Sequence, residues 1–344
     1  PIERHSHHYY ALFVQDEVRL SARLTVTAGL RYSLEPPVTE DRNQYVFLDL
    51  QARSPLADVV NGAGNLRGGI GFVGFGGLGR RTQVTDRNNL EPRLGIAYRL
   101  TDGSVLRLGF GLFHHPLVPF TDIAQGFSRT TSSLVTQPDG VTPLFNLGTP
   151  FPEGILQPTG RTLGLLTQVG QSITGPLRNQ RLPYQSQWSL ALQRQLPGSI
   201  ALELSYVGSS AVSLPSSVNF NQLSPEYLAL GPLLNEPVPN PFFGVITDRT
   251  SPLSRPSVQR GQLLRPYPHF LDVIANQAPT GHSSYDALQL QVERRLSRGF
   301  AFLLSYTHSK TIDNTAEFAD YLGPSPGFNN NYCYACDRSL SYQH

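Results

Sequence analysis

Residues 284–308 read Ser284-Tyr285-Asp286-Ala287-Leu288-Gln289-Leu290-Gln291-Val292-Glu293-Arg294-Arg295-Leu296, then Ser297-Arg298-Gly299, then Phe300-Ala301-Phe302-Leu303-Leu304-Ser305-Tyr306-Thr307-His308. In the first run Leu288, Leu290, Val292 and Leu296 alternate with Gln289, Gln291, Glu293 and Arg295. Period two sorts side chains onto the two faces of a strand, whereas a helix would scatter these charges around its circumference. A Gly-ended turn then reverses the chain, and Phe300, Phe302, Leu304 and Tyr306 fall on one face of the second run. The stretch spells a β-hairpin with one oily and one polar face.

The same unit recurs upstream. Hairpins are expected near residues 9–34, 90–113, 185–207 and 284–308, with turns at Ser21-Ala22-Arg23, Thr101-Asp102-Gly103-Ser104, Pro197-Gly198 and Ser297-Arg298-Gly299. Leu24, Val26, Ala28, Leu30 and Tyr32 oppose Thr25, Thr27, Gly29, Arg31 and Ser33; Leu106, Leu108 and Phe110 oppose Arg107 and Gly109; Ile200, Leu202, Leu204 and Tyr206 oppose Ala201, Glu203 and Ser205. The stretches between hairpins, 35–89, 114–184 and 208–283, and the tail 309–344 read as long loops. Short turns at one rim and long loops at the other are the pattern of a transmembrane β-barrel. Arms of about nine to eleven residues cross a hydrocarbon core when tilted. Aromatics gather at the long-loop rim (Tyr9, Tyr10, Tyr32, Phe110, Trp188, Tyr206, Tyr285 and Tyr306), with Tyr98 and Phe300 near the short turns.

Composition narrows the class. Of 344 residues only 15% are charged and 39% hydrophobic, and 31 Gly with 28 Pro argue against a helical bundle. No apolar run approaches the roughly 18 residues of a spanning helix. The net charge of +2 gives no reason to expect nucleic acid. The chain has no Met, and Pro1 is not followed by a signal peptide pattern, so the sequence reads as an internal piece of a longer protein.

Several stretches resemble a known family. Tyr10-Ala11-Leu12-Phe13-Val14-Gln15-Asp16-Glu17, followed by Leu24-Thr25-Val26-Thr27-Ala28-Gly29-Leu30-Arg31-Tyr32, resembles the barrel of TonB-dependent outer-membrane transporters. Leu90-Glu91-Pro92-Arg93-Leu94-Gly95-Ile96-Ala97-Tyr98, Leu108-Gly109-Phe110-Gly111-Leu112-Phe113-His114, the hairpin Gln187–Ser209 and the hairpin Tyr285–Lys310 with Thr311-Ile312-Asp313-Asn314 are similar to its Oar-like branch. The resemblance implies a barrel of about 22 strands, an N-terminal plug, and coupling to the inner-membrane TonB complex. Only eight strands are legible here, and Asp337–His344 looks like the approach to a ninth.

The fold expected is thus all-β: part of an antiparallel transmembrane barrel in a bacterial outer membrane. Its lipid-facing residues include Leu30, Leu108, Leu190, Leu204, Leu290 and Leu304. Its aromatic girdle includes Tyr32, Trp188, Tyr206 and Tyr306, and Arg31, Arg107, Glu203 and Glu293 face the lumen. Partners are outer-membrane lipid, the protein's own plug, the TonB complex and an unidentified ligand at the extracellular loops; nucleic acid is not expected. The rival classes are a plugless structural barrel or adhesin, and a soluble β-rich surface binding protein.

No catalytic constellation, cofactor or metal site is expected. The Gly69–Gly79 stretch matches G-x-G-x-x-G twice without the flanking strand and helix of a dinucleotide site, and reads as a flexible loop. His5, His7, His8 and the His114-His115 pair lack ligand spacing. Asp16 and Glu17 are adjacent on a strand, so they point to opposite faces and form no acid pair. Cys333-Tyr334-Ala335-Cys336 reads as a local disulfide in an oxidising compartment, with two free thiols as the alternative. Loop aromatics Phe72, Phe75, Phe145, Phe151, Tyr227, Phe242, Phe243, Tyr267 and Phe270 are candidates either for ligand stacking or for local packing.

Overall fold

The computed structural model describes residues 4–60, 65–116, 125–131, 141, 143, 148–151, 154–248, 250–297, 299–314 and 327–341. Eight long strands form its frame: β1 (Tyr10–Arg19), β2 (Leu24–Leu34), β3 (Leu90–Thr101), β4 (Ser104–His114), β5 (Tyr184–Leu196), β6 (Ile200–Asn219), β7 (Val273–Ser297) and β8 (Phe300–Asp313). They pair antiparallel in chain order, β1 to β8, into one open sheet. The expected tail strand is a short one: Ser339–Leu340 pairs with Ile312 and Asp313. All residues of β1 are exposed, and β1 and β8 do not pair with each other, so the sheet keeps two open edges.

Register sorts the faces. Leu24, Tyr98, Leu106, Leu192, Leu204, Leu290 and Tyr306 form one cross-strand row. On the other face run Arg107, Ala191, Ser205, Gln289 and Thr307, and beside them Gly95, Gly109, Ser189, Val207, Ala287 and Ser309. The oily row also climbs. Leu24 begins its strand, Leu106 lies two residues past Ser104, Leu204 four past Ile200 and Tyr306 six past Phe300. That stagger is about one residue per strand. With a rise of about 3.3 Å per residue and about 4.8 Å between strands, turns held at one level require a tilt of about 35°. This is the tilt of membrane barrels. It also explains Tyr98 near a short turn and Tyr306 near a long loop: they are two ends of one inclined row.

The described parts of the long connections are folded. Strands β6 and β7 overrun the expected hairpin limits, to Asn219 and back to Val273. The alternation stops at Gly208, and Pro215 faces Pro279, so this stretch reads as loop in the sequence. Register shifts after Val212, Leu214 and Ser216 absorb the prolines. On this mast the four long segments share one core. Val46, Phe47, Leu48, Ile70, Phe72 and Val73 pack with Ile173, Val218, Phe270 and Val273, and Phe328 and Tyr334 from the tail lie against them. Ile173–Gly175 adds as a parallel strand to β7, and Leu48 N–H donates to the Pro176 carbonyl at 2.9 Å. A second cluster joins Leu56, Val60, Leu66, Phe242, Ile246 and Leu253.

Candidate functional site

The oily face of the sheet is turned outward. Leu30, Leu108, Leu190, Leu204 and Leu304 are 45, 42, 43, 43 and 55% exposed. Leu290, flanked by Leu204 and Tyr306, is half-buried. Meanwhile Ser205 and Ala287 of the opposite face are 7 and 2% exposed. A soluble protein keeps contiguous exposed apolar patches to a few hundred Å², whereas this face spans every long strand.

Its aromatic rim is organised. Trp188 sits opposite Phe110 on one side and Gly208 on the other. The indole covers Gly208 so closely that a Cβ there would collide with it, which is why a glycine interrupts β6. Tyr206 O–H donates to Asp286 Oδ1 at 2.5 Å, giving the ring a wet end beside an oily one. Tyr32 O–H donates to the Arg87 carbonyl at 3.0 Å, and Tyr306 is 61% exposed on the same face.

The polar face carries all four charged residues expected there. Arg31 pairs across to Glu91 with Nε and Oε2 3.6 Å apart, and its Nη2 donates to Tyr9 Oη at 2.7 Å. Glu91 also accepts from Ser33 Oγ at 2.9 Å and lies 3.7 Å from His114 Nδ1. Glu203 accepts from Gln193 Nε2 at 2.7 Å. Arg107 is exposed, and Glu293 lies between Ala201 and Leu303 in the register. Asp16 and Glu17 face Ala28 and Thr27, on opposite sides of the sheet.

In the folded cap the aromatics divide. Phe72, Phe242 and Phe270 are core residues and are withdrawn as stacking candidates; Tyr267 is half-buried against the same core. Phe75, Phe151 and Phe243 stay exposed, Tyr227 is half-buried, and Phe145 lies outside the described residues. Part of the expected flexible glycine loop is also ordered. Ile70–Phe72 pairs with Val46–Leu48, and Gly71 lies under the Phe47 ring where any Cβ would collide. Only the tip, Phe75 to Gly79, projects.

Two buried polar residues lie at the centre of the cap. Asn221, fully buried, donates to the carbonyls of Tyr267, Phe270 and Leu271 and accepts from Tyr267 N–H. His269 is 0% exposed, with its ring 4.4 Å from Phe270 and 6.4 Å from Phe242. Burial lowers its pKa to about 4, so the ring is neutral. Glu35 is likewise buried, which raises its carboxyl above the ordinary range, while His7 at 2.7 Å pulls it back down. Neither Asn221 nor His269 is marked by a sequence motif; both become visible only once the loops fold. Cys333 and Cys336 are bonded to each other, with Cα atoms 5.4 Å apart. Among the described residues no group of three or more His, Cys, Asp or Glu could hold a metal ion.

No curated protein matches the chain. Among solved structures it is similar to the alcaligin outer membrane receptor FauA of Bordetella pertussis, with 12% identity over 96% of this chain and 33% of that one (TM-score 0.37). It is similar also to the FrpB iron transporter of Neisseria meningitidis, with 10% identity over 88% of this chain and 24% of that one (TM-score 0.37). The outer membrane transporter YddB of Escherichia coli matches at 8% identity over 93% and 35% of the two chains (TM-score 0.38). The chain therefore spans about a third or less of their length. The family model described as outer membrane beta barrel domain matches residues 2–344. With an open antiparallel sheet whose leucines face outward, the chain belongs to the outer membrane β-barrel domain family and is a partial barrel of the bacterial outer membrane.

Proposed function

We propose that the chain is part of the wall and the extracellular cap of an Oar-like TonB-dependent transporter. In this account Leu30, Leu108, Leu190, Leu204, Leu290 and Leu304 contact lipid, and Tyr32, Trp188, Tyr206 and Tyr306 mark its interfaces. Arg31, Arg107, Glu203 and Glu293 line a wet lumen. The plug and the TonB contact lie outside residues 1–344, and substrate is recognised by the cap. The chain does no chemistry of its own; it forms a passage and a docking surface.

The single observation that carries this reading is a sheet with one continuous apolar face, its leucines about half exposed while Ser205 and Ala287 behind them are buried, joined to a folded cap at the long-loop end. The strand motifs around Gly29-Leu30-Arg31-Tyr32 and Ser305–Asn314 supply the branch. A photo-crosslinking side chain at Gln291 in the full-length protein tests it. Gln291 is exposed on the polar face, opposite Glu203. The expected product joins Gln291 to a segment of the same polypeptide N-terminal to residue 1, while the same probe at Leu204 captures lipid. Lipid capture at Gln291, or no intramolecular product, refutes the plugged transporter.

A further inference from the structure

The charges of the polar face are unevenly distributed. Arg31 on β2, Arg93 and Arg99 on β3, and Arg107 on β4 all share it. Arg31 faces Glu91, and Arg93 is two residues further along that strand, a diagonal step of about 7 Å. Arg93 faces Gly111, and Arg107 is four residues along β4, about 13 Å away. Arg107 lies two residues from Val105, the partner of Arg99, another diagonal step of about 7 Å. The four arginine positions thus form a ladder from the long-loop rim to the short-turn rim.

Arg93, Arg99 and Arg107 are exposed, and none has a carboxylate at ion-pair distance among the described residues. The Arg93 guanidinium lies 4.9 Å from the Phe113 ring centre. The nearby acids are otherwise placed. Glu91 is engaged by Arg31 and Ser33; Glu17 lies on β1 beside Arg19; Glu203 is three strands from Arg99 in the register. No two of these arginines are directly opposite in the register, so their repulsion is spread over diagonal spacings that an anion can bridge. Between the arginines the face carries small residues, Thr25, Thr27, Gly29, Gly95, Ala97, Gly109 and Gly111, with Val105 opposite Arg99 and the Phe113 ring over Gly111. Long cationic side chains therefore stand over a low floor, where each can lean toward the next. An arginine fork matches carboxylate and phosphate oxygens two at a time.

We propose that this ladder is a track for an anionic solute bearing carboxylate or phosphate groups, handed from Arg93 to the Arg99/Arg107 pair as it crosses the wall. The proposal rests on the polar face being the lumen. It extends that assignment to a substrate class and a path.

Arginine-specific modification with phenylglyoxal tests it in the folded full-length protein in detergent micelles. Adducts are read residue by residue by mass spectrometry. Pyrophosphate and citrate are titrated separately at constant ionic strength. Modification of Arg93, Arg99 and Arg107 should fall at least fivefold together with either anion, while the exposed cap residues Arg42 and Arg81 change less than twofold. In an Arg99→Gln/Arg107→Gln variant, protection of Arg93 should need at least fivefold more anion. Equal protection of Arg42 and Arg81, or none at the ladder, overturns the track. So does a ladder that is unreactive without added anion, which assigns it to an acidic protein surface. The lumen assignment has its own readout, a membrane-soluble carbene. Carbene labelling of the ladder rather than of Leu108 and Leu190 overturns that assignment and the track with it.

Discussion

Leu204→Arg in the full-length protein measures the sidedness of the wall. Leu204 lies between Leu192 and Leu290 in the oily row and is 43% exposed. It is four residues past Ile200, the start of β6. At about 3.3 Å per residue and a tilt of about 35°, it stands about 11 Å above the short-turn level. An apolar band about 25 Å tall has its midplane near that height. Arginine should therefore cost about 2–4 kcal/mol, the midplane value. Gln291→Arg, next to Leu290 but on the other face, should cost about 1 kcal/mol or less, because a lumen side chain stays in water. The assay is a denaturant titration of each variant folded into phospholipid vesicles, compared at unchanged m-value. Equal costs, or a larger cost at Gln291, would falsify the assignment of the leucine face to lipid.

Further outcomes follow from the rim and the cap. Gly208→Val should displace the Trp188 indole and cost about 1–3 kcal/mol; red-shifted emission from Trp188, the single tryptophan of this chain, reports it. Asn221→Ala removes one of two donors from each of the Tyr267, Phe270 and Leu271 carbonyls and the acceptor of Tyr267 N–H, and should weaken the cap by about 1–3 kcal/mol, seen as faster hydrogen exchange at Phe270 and Ile173 with the strands unchanged. His269 is neutral when folded and charges more readily when unfolded. Its contribution is therefore complete above pH 6.5 and is lost as pH falls toward about 4, up to about 3 kcal/mol. Cap protection should drop over that window, and His269→Phe should flatten the drop.

The wall was legible in the sequence because the bilayer imposes a strict rule. Each strand must show lipid one face and water the other, so Leu288 to Glu293 and Ile200 to Tyr206 alternate without a break, and Arg294 interrupts the pattern only next to the short turn. The turns were legible for the same reason that they are short: Asp102-Gly103 and Pro197-Gly198 leave little choice of conformation. Past Gly208 that rule ends. Both faces of the mast meet protein or water, Pro215 and Pro279 look like breakers, and the two strands are recognisable only by their pairing. The cap was hidden for a different reason. Its core is assembled from Phe47, Ile70, Ile173, Val218 and Phe270, which are scattered along the chain, and no local period links them. The stacking aromatics show the consequence: Phe72 and Phe75 are three residues apart in one glycine-rich stretch, yet one is 2% and the other 49% exposed. The charged residues of the polar face were legible as a set, but their division into an arginine ladder and a glutamine-glutamate sector needed the register.

The central claim is that one face of this sheet meets lipid and the other meets water. Single nitroxide labels at residues 201 to 207 of β6 in the full-length protein, measured in bilayers for collision with oxygen and with a nickel chelate, test it most directly. The native Cys333 and Cys336 are bonded to each other and leave the labelled thiol without a competitor in this chain. Oxygen contact should peak at 202, 204 and 206 and nickel contact at 201, 203, 205 and 207. In-phase profiles, or nickel peaks on the leucine positions, contradict the account.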